Sequence, residues 1–345
     1  MNQKLKYKPA LYWESHDNGV KCKLCPHECI LKEGKTGNCK TRINIENSLY
    51  TAAYGNLCSL SIDPIEKKSL FHFLPSSKTL SLAIEGCTFR CLNCQNFTIS
   101  QIQPGNNYKS FYLPEEIVEM AIKNSCSSIS YTYSEPVVFY EFMLETAKVA
   151  KQKGIKNVMV SNGYINSEPL SELCNFIDAA NIDLKSFDNN IYKKLTGGSL
   201  EPIKNTLKIL LEKGVWVEIA NLVIPDWTDD LNTIKEMSEW LVENNFSNTP
   251  LHFSRFYPIY KLSEISPTSY EILLEAQKIA LSSGIKYVYL GNVRNENVEN
   301  TVCHKCGEML ILRTGFEVKK NIIIAGKCSN CGEVIPGKWD FENFK

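Results

Sequence analysis

The sequence predicts an α/β chain built on a parallel sheet, and three features carry that expectation. After residue 78, short β-rich runs alternate with amphipathic helical segments. No G-x-G-x-x-G follows the first of these runs, which weakens a dinucleotide-binding, doubly wound arrangement. A cysteine-rich loop stands directly after that first run, where parallel barrels carry their chemistry. The count is six strand–helix pairs and a further strand, which fits an open sheet or a barrel.

In chain order the expected strands are "TLSLAIEG" (79–86), "SSISYTYS" (127–134), "KNVMVSNG" (156–163), "AANIDLKS" (179–186), "VWVEIANLVIP" (215–225), "LHFSRFYP" (251–258) and "KYVYLGN" (286–292). The first expected helix, 113–125, opens on Pro114 and two glutamates, both favourable at a helix start. The next, 136–154, repeats its apolar residues at three-and-four spacing and stops at Gly154. Segments 201–214, 229–244 and 266–284 follow the same pattern. Residues 1–78 are loop-rich and cysteine-bearing, 79–292 form the alternating unit, and 293–345 begin with a polar link, "RNENVEN", before a cysteine-framed module.

The 345 residues are 43% apolar and 22% charged, and 38 basic residues balance 38 acidic ones. A neutral total without basic runs gives no support for nucleic acid as a partner. The N-terminus has no apolar leader, and no stretch approaches the roughly 18 continuous apolar residues of a membrane span. The expected location is therefore cytoplasmic, away from the membrane.

Fourteen cysteines is the outlying number, and in a reducing compartment clustered cysteines point to metal rather than disulfides. Cys87, Cys91 and Cys94 read C-x3-C-x2-C. Three thiolates could hold zinc with an open position, or a four-iron cluster with one iron left free. A fourth cysteine from elsewhere would make the cluster an inert staple or electron carrier. Cys303, Cys306, Cys328 and Cys331 form two C-x2-C-G knuckles, the pattern of a tetrahedral zinc ribbon or a rubredoxin-like iron site. Cys22, Cys25, Cys29 and Cys39 form a third group that suits zinc or a second iron–sulfur cluster.

C-x3-C-x2-C after the first strand of a β/α chain resembles the radical S-adenosylmethionine (radical SAM) superfamily. The resemblance implies a partial TIM-type (β/α)6 barrel, a [4Fe-4S] cluster on Cys87, Cys91 and Cys94, and SAM at the free iron. Reductive cleavage of SAM would give a 5′-deoxyadenosyl radical for hydrogen abstraction, driven by a one-electron donor of flavodoxin or ferredoxin type. "YTYSEP" (131–136) puts Glu135 where the family binds the SAM amino end, although beside Pro136 it also reads as a helix-start carboxylate. "VSNGY" (160–164), with Ser161, Asn162 and Gly163, resembles the D-T-N-G stretch of glycyl-radical-enzyme activases, with Val160 in place of the aspartate. "IDLKS" (182–186) supplies Asp183 and Lys185, and "LHFSRFYP" supplies His252; these three are the catalytic candidates. Many members carry an aromatic residue before the third cysteine, where this chain has Asn93; either Phe97 or Phe89 substitutes for it, or no residue does.

The whole layout, from "CKLCPHEC" to the terminal ribbon, is similar to the radical SAM enzyme of the AmmeMemoRadiSam system, related to pyruvate formate-lyase activating enzymes. That similarity implies Memo-type and AMMECR-type proteins as partners, or alternatively a glycyl-radical enzyme. A non-catalytic electron carrier or zinc adaptor is the competing class.

Overall fold

The structure, a computed structural model, describes residues 7–102, 111–293 and 297–339. The first three residues of the polar link, 294–296, and the last six of the chain lie outside them. Eight strands form one open sheet: β1 (Ser59–Pro64), β2 (Lys78–Ala83), β3 (Ser128–Tyr131), β4 (Lys156–Ser161), β5 (Ala179–Asp183), β6 (Trp216–Val223), β7 (Leu251–Arg255) and β8 (Val288–Gly291). Neighbours in the sheet follow chain order from β1 to β8. β2 to β8 are parallel, and β1 pairs antiparallel with β2. All seven expected strands are present. β1 comes from a stretch that the sequence pattern groups with the N-terminal extension.

An order that never reverses brings all seven parallel carboxyl ends to one rim. Helices cover the strands between: α1 (Pro114–Lys123), α2 (Tyr140–Gln152), α3 (Ser167–Leu173), α4 (Asn189–Thr196), α5 (Leu200–Glu212), α6 (Leu231–Glu243) and α7 (Tyr270–Ser283). Every residue of β3 is buried, its two serines included, as a doubly covered parallel strand requires. α4, α6 and α7 begin on Asp188, Asp230 and Ser269, whose side chains accept first-turn amides. α4 and α7 end on left-handed glycines, Gly197 and Gly284. α3 and α4 have seven and eight residues, too few for a helical period to show in sequence.

The N-terminal unit is two small antiparallel sheets, Trp13–His16 with Gly19–Cys22 and Ile30–Leu31, and Lys8–Pro9 with Ser48–Thr51 and Arg42–Ile45. Its Val20, Leu31 and Leu49 join the same core as Val137, Phe142 and Met143. The buried Arg42 ion-pairs with the buried Glu141 of α2 and donates to the Leu11 carbonyl at 2.6 Å.

The C-terminal module is a three-stranded antiparallel sheet, Thr301–Val302, Met309–Thr314 and Glu317–Asn321. It shares a core with the main sheet, where Leu310, Ile311 and Ile335 pack with Phe71, Tyr287 and Tyr289. The buried Arg313 donates to the Phe71 carbonyl at 2.7 Å, to the Glu299 carbonyl at 3.0 Å and to the Thr301 hydroxyl at 2.9 Å. Its guanidinium lies over the Phe71 ring, 4.3 Å from the centroid. Among the described residues, no helix is long and apolar enough to cross a membrane.

Arg313→Met keeps the apolar stem and deletes these donors. We expect a loss of roughly 2–3 kcal/mol, because hydrogen bonds from charged groups contribute more than neutral ones and the carbonyls left behind are buried. Urea unfolding measures it; a midpoint equal to wild type would mean that the module is not pinned by this residue.

Candidate active site and metal centres

After β2 the chain turns at Gly86, whose φ of +110° suits glycine. A Cβ there would lie 2.6 Å from Thr41 Cγ2 and 2.9 Å from the Cys39 carbonyl oxygen. The loop that follows is held from outside itself. Arg90 and Leu92 donate their amides to the carbonyls of Thr196 and Leu195 at the end of α4, at 2.8 and 2.9 Å, and the Leu92 carbonyl accepts from Lys261 N at 3.0 Å. His27 Nε2 lies 2.8 Å from the Thr88 carbonyl.

Held this way, Cys87, Cys91 and Cys94 line a cavity of about 1090 Å³ at the carboxyl rim of the sheet, and no other cysteine lines it. A cavity of that size exceeds the need of a single ion and suits a cofactor with a substrate. Among the described residues, the terminal four thiols alone bring three or more metal-capable atoms within 4.8 Å of one another. The triad therefore stands wider than one tetrahedral ion allows, since sulfurs about 2.3 Å from zinc lie about 3.8 Å apart. Three soft donors, spread around an open side, fit a polynuclear iron–sulfur group. Asn93 adds a buried Oδ1 without a partner in the same wall, an acceptor suited to an amino-bearing ligand.

The remaining sequence candidates are distributed around this cavity. Glu135 is buried, and its carboxylate accepts from Ser161 Oγ at 2.7 Å, Asn162 N at 2.9 Å and Val137 N at 3.1 Å. Burial pushes its pKa up to about 7, and these bonds pull against that rise. Asn162 Nδ2 donates to Thr88 Oγ1 at 3.0 Å and lies 3.8 Å from Cys87 Sγ. Lys185 Nζ lies 2.9 Å from Asp183 Oδ2, and both line the cavity. Burial works to lower the Lys185 pKa, yet the Asp183 carboxylate and the Cys91 thiol hold it above the ordinary value. His252 Nε2 donates to Glu218 Oε2 at 2.7 Å. Gly163 does not line the cavity; its carbonyl accepts from Thr206 Oγ1 at 2.7 Å on the side of α5. Neither candidate aromatic faces the cavity. Phe89 packs against Tyr164 and Gly198, and Phe97 stacks on Tyr260 at 4.5 Å.

Several residues in the cavity wall, or bonded to it from behind, carried no sequence signal. Glu218, in the middle of β6, is fully buried and also accepts from Phe71 N at 2.9 Å, His72 N at 2.7 Å and Trp216 Nε1 at 3.1 Å. Burial acts to raise its pKa, but its donors, His252 foremost, hold it below the ordinary value. Tyr133 sits at φ +63°. Its hydroxyl bonds Asp63, which also accepts from Lys67 and the buried Lys68, each at 2.8 Å. Burial lowers the Lys68 pKa to about 8. Thr314, Gly315 and Phe316, the hairpin tip of the C-terminal module, complete the wall.

In that module the Cys303 and Cys331 sulfurs are 3.7 Å apart, as are those of Cys306 and Cys328. Those separations fit one tetrahedral ion. His304 is not part of the set: it lies against Tyr287 Oη at 2.9 Å and Glu333 at 3.5 Å. Cys22, Cys25, Cys29 and Cys39 line a separate small cavity.

The family model of the Radical SAM superfamily matches residues 82–241. The uncharacterized protein MJ0808 of Methanocaldococcus jannaschii is 47% identical over 329 residues, 94% of this chain and 98% of that protein. Pyruvate formate-lyase 1-activating enzyme of Escherichia coli K12 is 27% identical over 160 residues, 45% of this chain and 65% of the enzyme. Among solved structures, Streptococcus suis SuiB bound to S-adenosylmethionine aligns with a TM-score of 0.48 and 14% identity, covering 67% of this chain and 53% of that one.

Two outcomes follow from the geometry. The folded chain keeps the Glu135 proton between its ordinary 4.5 and about 7, while the unfolded chain has released it, so this group lowers stability as pH rises through that window. Glu135→Gln removes that contribution, so its stability relative to wild type should climb from pH 4.5 to 7; urea titrations that stay parallel would contradict it. Cobalt bound to the C-terminal module should show the absorption of a tetrahedral tetrathiolate site, lost in Cys303→Ser and Cys331→Ser.

Proposed function

This chain belongs to the radical SAM superfamily, and on that footing we propose that it binds a [4Fe-4S] cluster on Cys87, Cys91 and Cys94 and cleaves S-adenosylmethionine reductively, to abstract hydrogen from a substrate in the same cavity. The observation that carries this reading is the count of cysteines in the cavity wall: three, with the fourth side open. When bound, the cluster supplies an electron and a free iron for the amino-acid end of SAM. The chain's own residues do the rest. Lys185 and Asp183 present a fixed cation and anion beside Cys91, suited to a zwitterion. Glu135 keeps the Ser161–Asn162 turn against the loop through two of its three bonds. Glu218 fixes His252 with its proton on Nε2.

We read the open sheet as a six-unit part-barrel, a reading the unreversed strand order favours, and the terminal ion as zinc. Membership of an AmmeMemoRadiSam-type system, with Memo-type and AMMECR-type partners in the cytoplasm, is supported by the N-terminal unit and terminal ribbon that flank the matched core. A second reading, installation of a glycyl radical on a partner protein, is favoured by the likeness to pyruvate formate-lyase 1-activating enzyme.

Anaerobic reconstitution, reduction and addition of SAM should yield 5′-deoxyadenosine, and Cys87→Ala, Cys91→Ala and Cys94→Ala should each reduce it to background. Lys185→Met should weaken SAM binding by roughly 1–2 kcal/mol, through loss of a half-buried charge partner. An iron-loaded wild type that neither binds nor cleaves SAM would leave only the non-catalytic electron-carrier or zinc-adaptor class. A glycyl-radical EPR signal on an added glycyl-radical enzyme would select the second reading.

A further inference from the structure

Cys22, Cys25, Cys29 and Cys39 reach one cavity from separate places: the end of a strand, the loop after it and the turn before Arg42. We propose that these four thiols hold a second iron–sulfur cluster, fully ligated by the protein, which relays single electrons to the cluster on Cys87, Cys91 and Cys94. The relay, unlike the site itself, rests on the function proposed above.

All four cysteines are unpaired by disulfides. Their sulfurs, like those of the triad, stand wider than a single tetrahedral ion permits, whereas the terminal four in the same molecule meet that spacing. Donors already point at the sulfurs. Asn38 N reaches Cys29 Sγ at 3.5 Å, Thr41 Oγ1 reaches Cys39 Sγ at 3.1 Å and Arg42 Nη1 reaches Cys22 Sγ at 3.8 Å. Hydrogen bonds to sulfur and nearby charge are what tune such clusters. Arg42 is a fixed cation in this wall, and its buried Nε has no partner. Glu141 pairs with the same guanidinium, and the Nε–H remains as a donor for a further acceptor. His27 also lines the cavity but does not compete as an Nε2 ligand: its Nε2 faces a carbonyl, which only accepts, so that nitrogen carries the proton.

The route to the first cluster is short and covalently continuous. Thr88 lines the second cavity and is the residue after Cys87, while Gly86, the residue before it, is pressed on Thr41 and the Cys39 carbonyl. One electron enters from an external one-electron donor of the flavodoxin or ferredoxin class. It reduces the second cluster and passes to the first, with no bond made or broken and no proton moved.

The test uses the full chain, reconstituted anaerobically with ferrous iron and sulfide. The triple variant Cys87→Ala/Cys91→Ala/Cys94→Ala should keep about half of the wild-type iron and sulfide, as one cluster with four protein ligands. Its reduced EPR signal should not change when SAM is added. The reciprocal variant, Cys29→Ser/Cys39→Ser, should keep only the SAM-responsive signal. Iron without sulfide, a lone zinc ion, or no metal in a folded triple variant would each overturn the proposal. If the triple variant fails to fold, wild type decides: Mössbauer spectra should resolve two clusters, one perturbed by SAM, and a single cluster would refute the site. Two clusters that both ignore SAM would instead overturn the function proposed above and leave this site standing.

Discussion

The loop bearing Cys87, Cys91 and Cys94 makes little structure of its own, and its position is imposed by what closes on it from two sides. From one side the N-terminal unit presses Thr41 and the Cys39 carbonyl toward Gly86 and sets His27 on the Thr88 carbonyl. From the other, the last carbonyls of α4 accept the amides of Arg90 and Leu92. Any residue larger than glycine at 86 would have to displace backbone. The three sulfurs therefore converge on the cavity because two distant segments agree on where the loop lies. The N-terminal unit accordingly belongs to the site's architecture, not to its periphery.

Two buried carboxylates, Glu135 in the cavity wall and Glu218 behind it, behave oppositely. Glu135 caps a helical turn and organises Ser161 and Asn162 with neutral donors alone, so burial wins and its proton is held to about neutral pH. Glu218 gathers two backbone amides, an indole and the His252 imidazole, and that larger set keeps it ionised. Through His72 and Phe71 the second carboxylate also reaches the C-terminal module: His72 Nδ1 donates to the Pro336 carbonyl at 2.7 Å, and the Phe71 carbonyl receives Arg313. Burial lowers the His72 pKa to about 4, so this relay is neutral and purely directional.

Much of this architecture is legible in the amino-acid sequence itself. Short β-rich runs in regular alternation with helical periods identify a parallel sheet, so the seven parallel strands and five longer helices can be read directly. The cysteine groups are legible as spacings because a knuckle or a ligand loop is local. What escapes is nonlocal. Glu218 looks like any charge inside a strand until Phe71, His72 and His252 arrive around it. The pairing of Ser59–Pro64 with the first parallel strand is antiparallel across a long connection, with no hairpin turn to announce it. Asp63, Lys68 and Tyr133 assemble from two segments whose sequences show nothing beyond ordinary polar residues. Phe89 and Phe97 show the reverse case: both stand near the cysteines in sequence, yet each is claimed by packing elsewhere, which leaves the alternative that no aromatic takes that place.

The hairpin tip at Thr314, Gly315 and Phe316 belongs to the cavity wall although its own fold is clamped by four remote sulfurs. Four thiols spaced for one ion thus stand behind a stretch of the wall that faces the cysteine triad, so an ion held there would shape a cavity it does not touch.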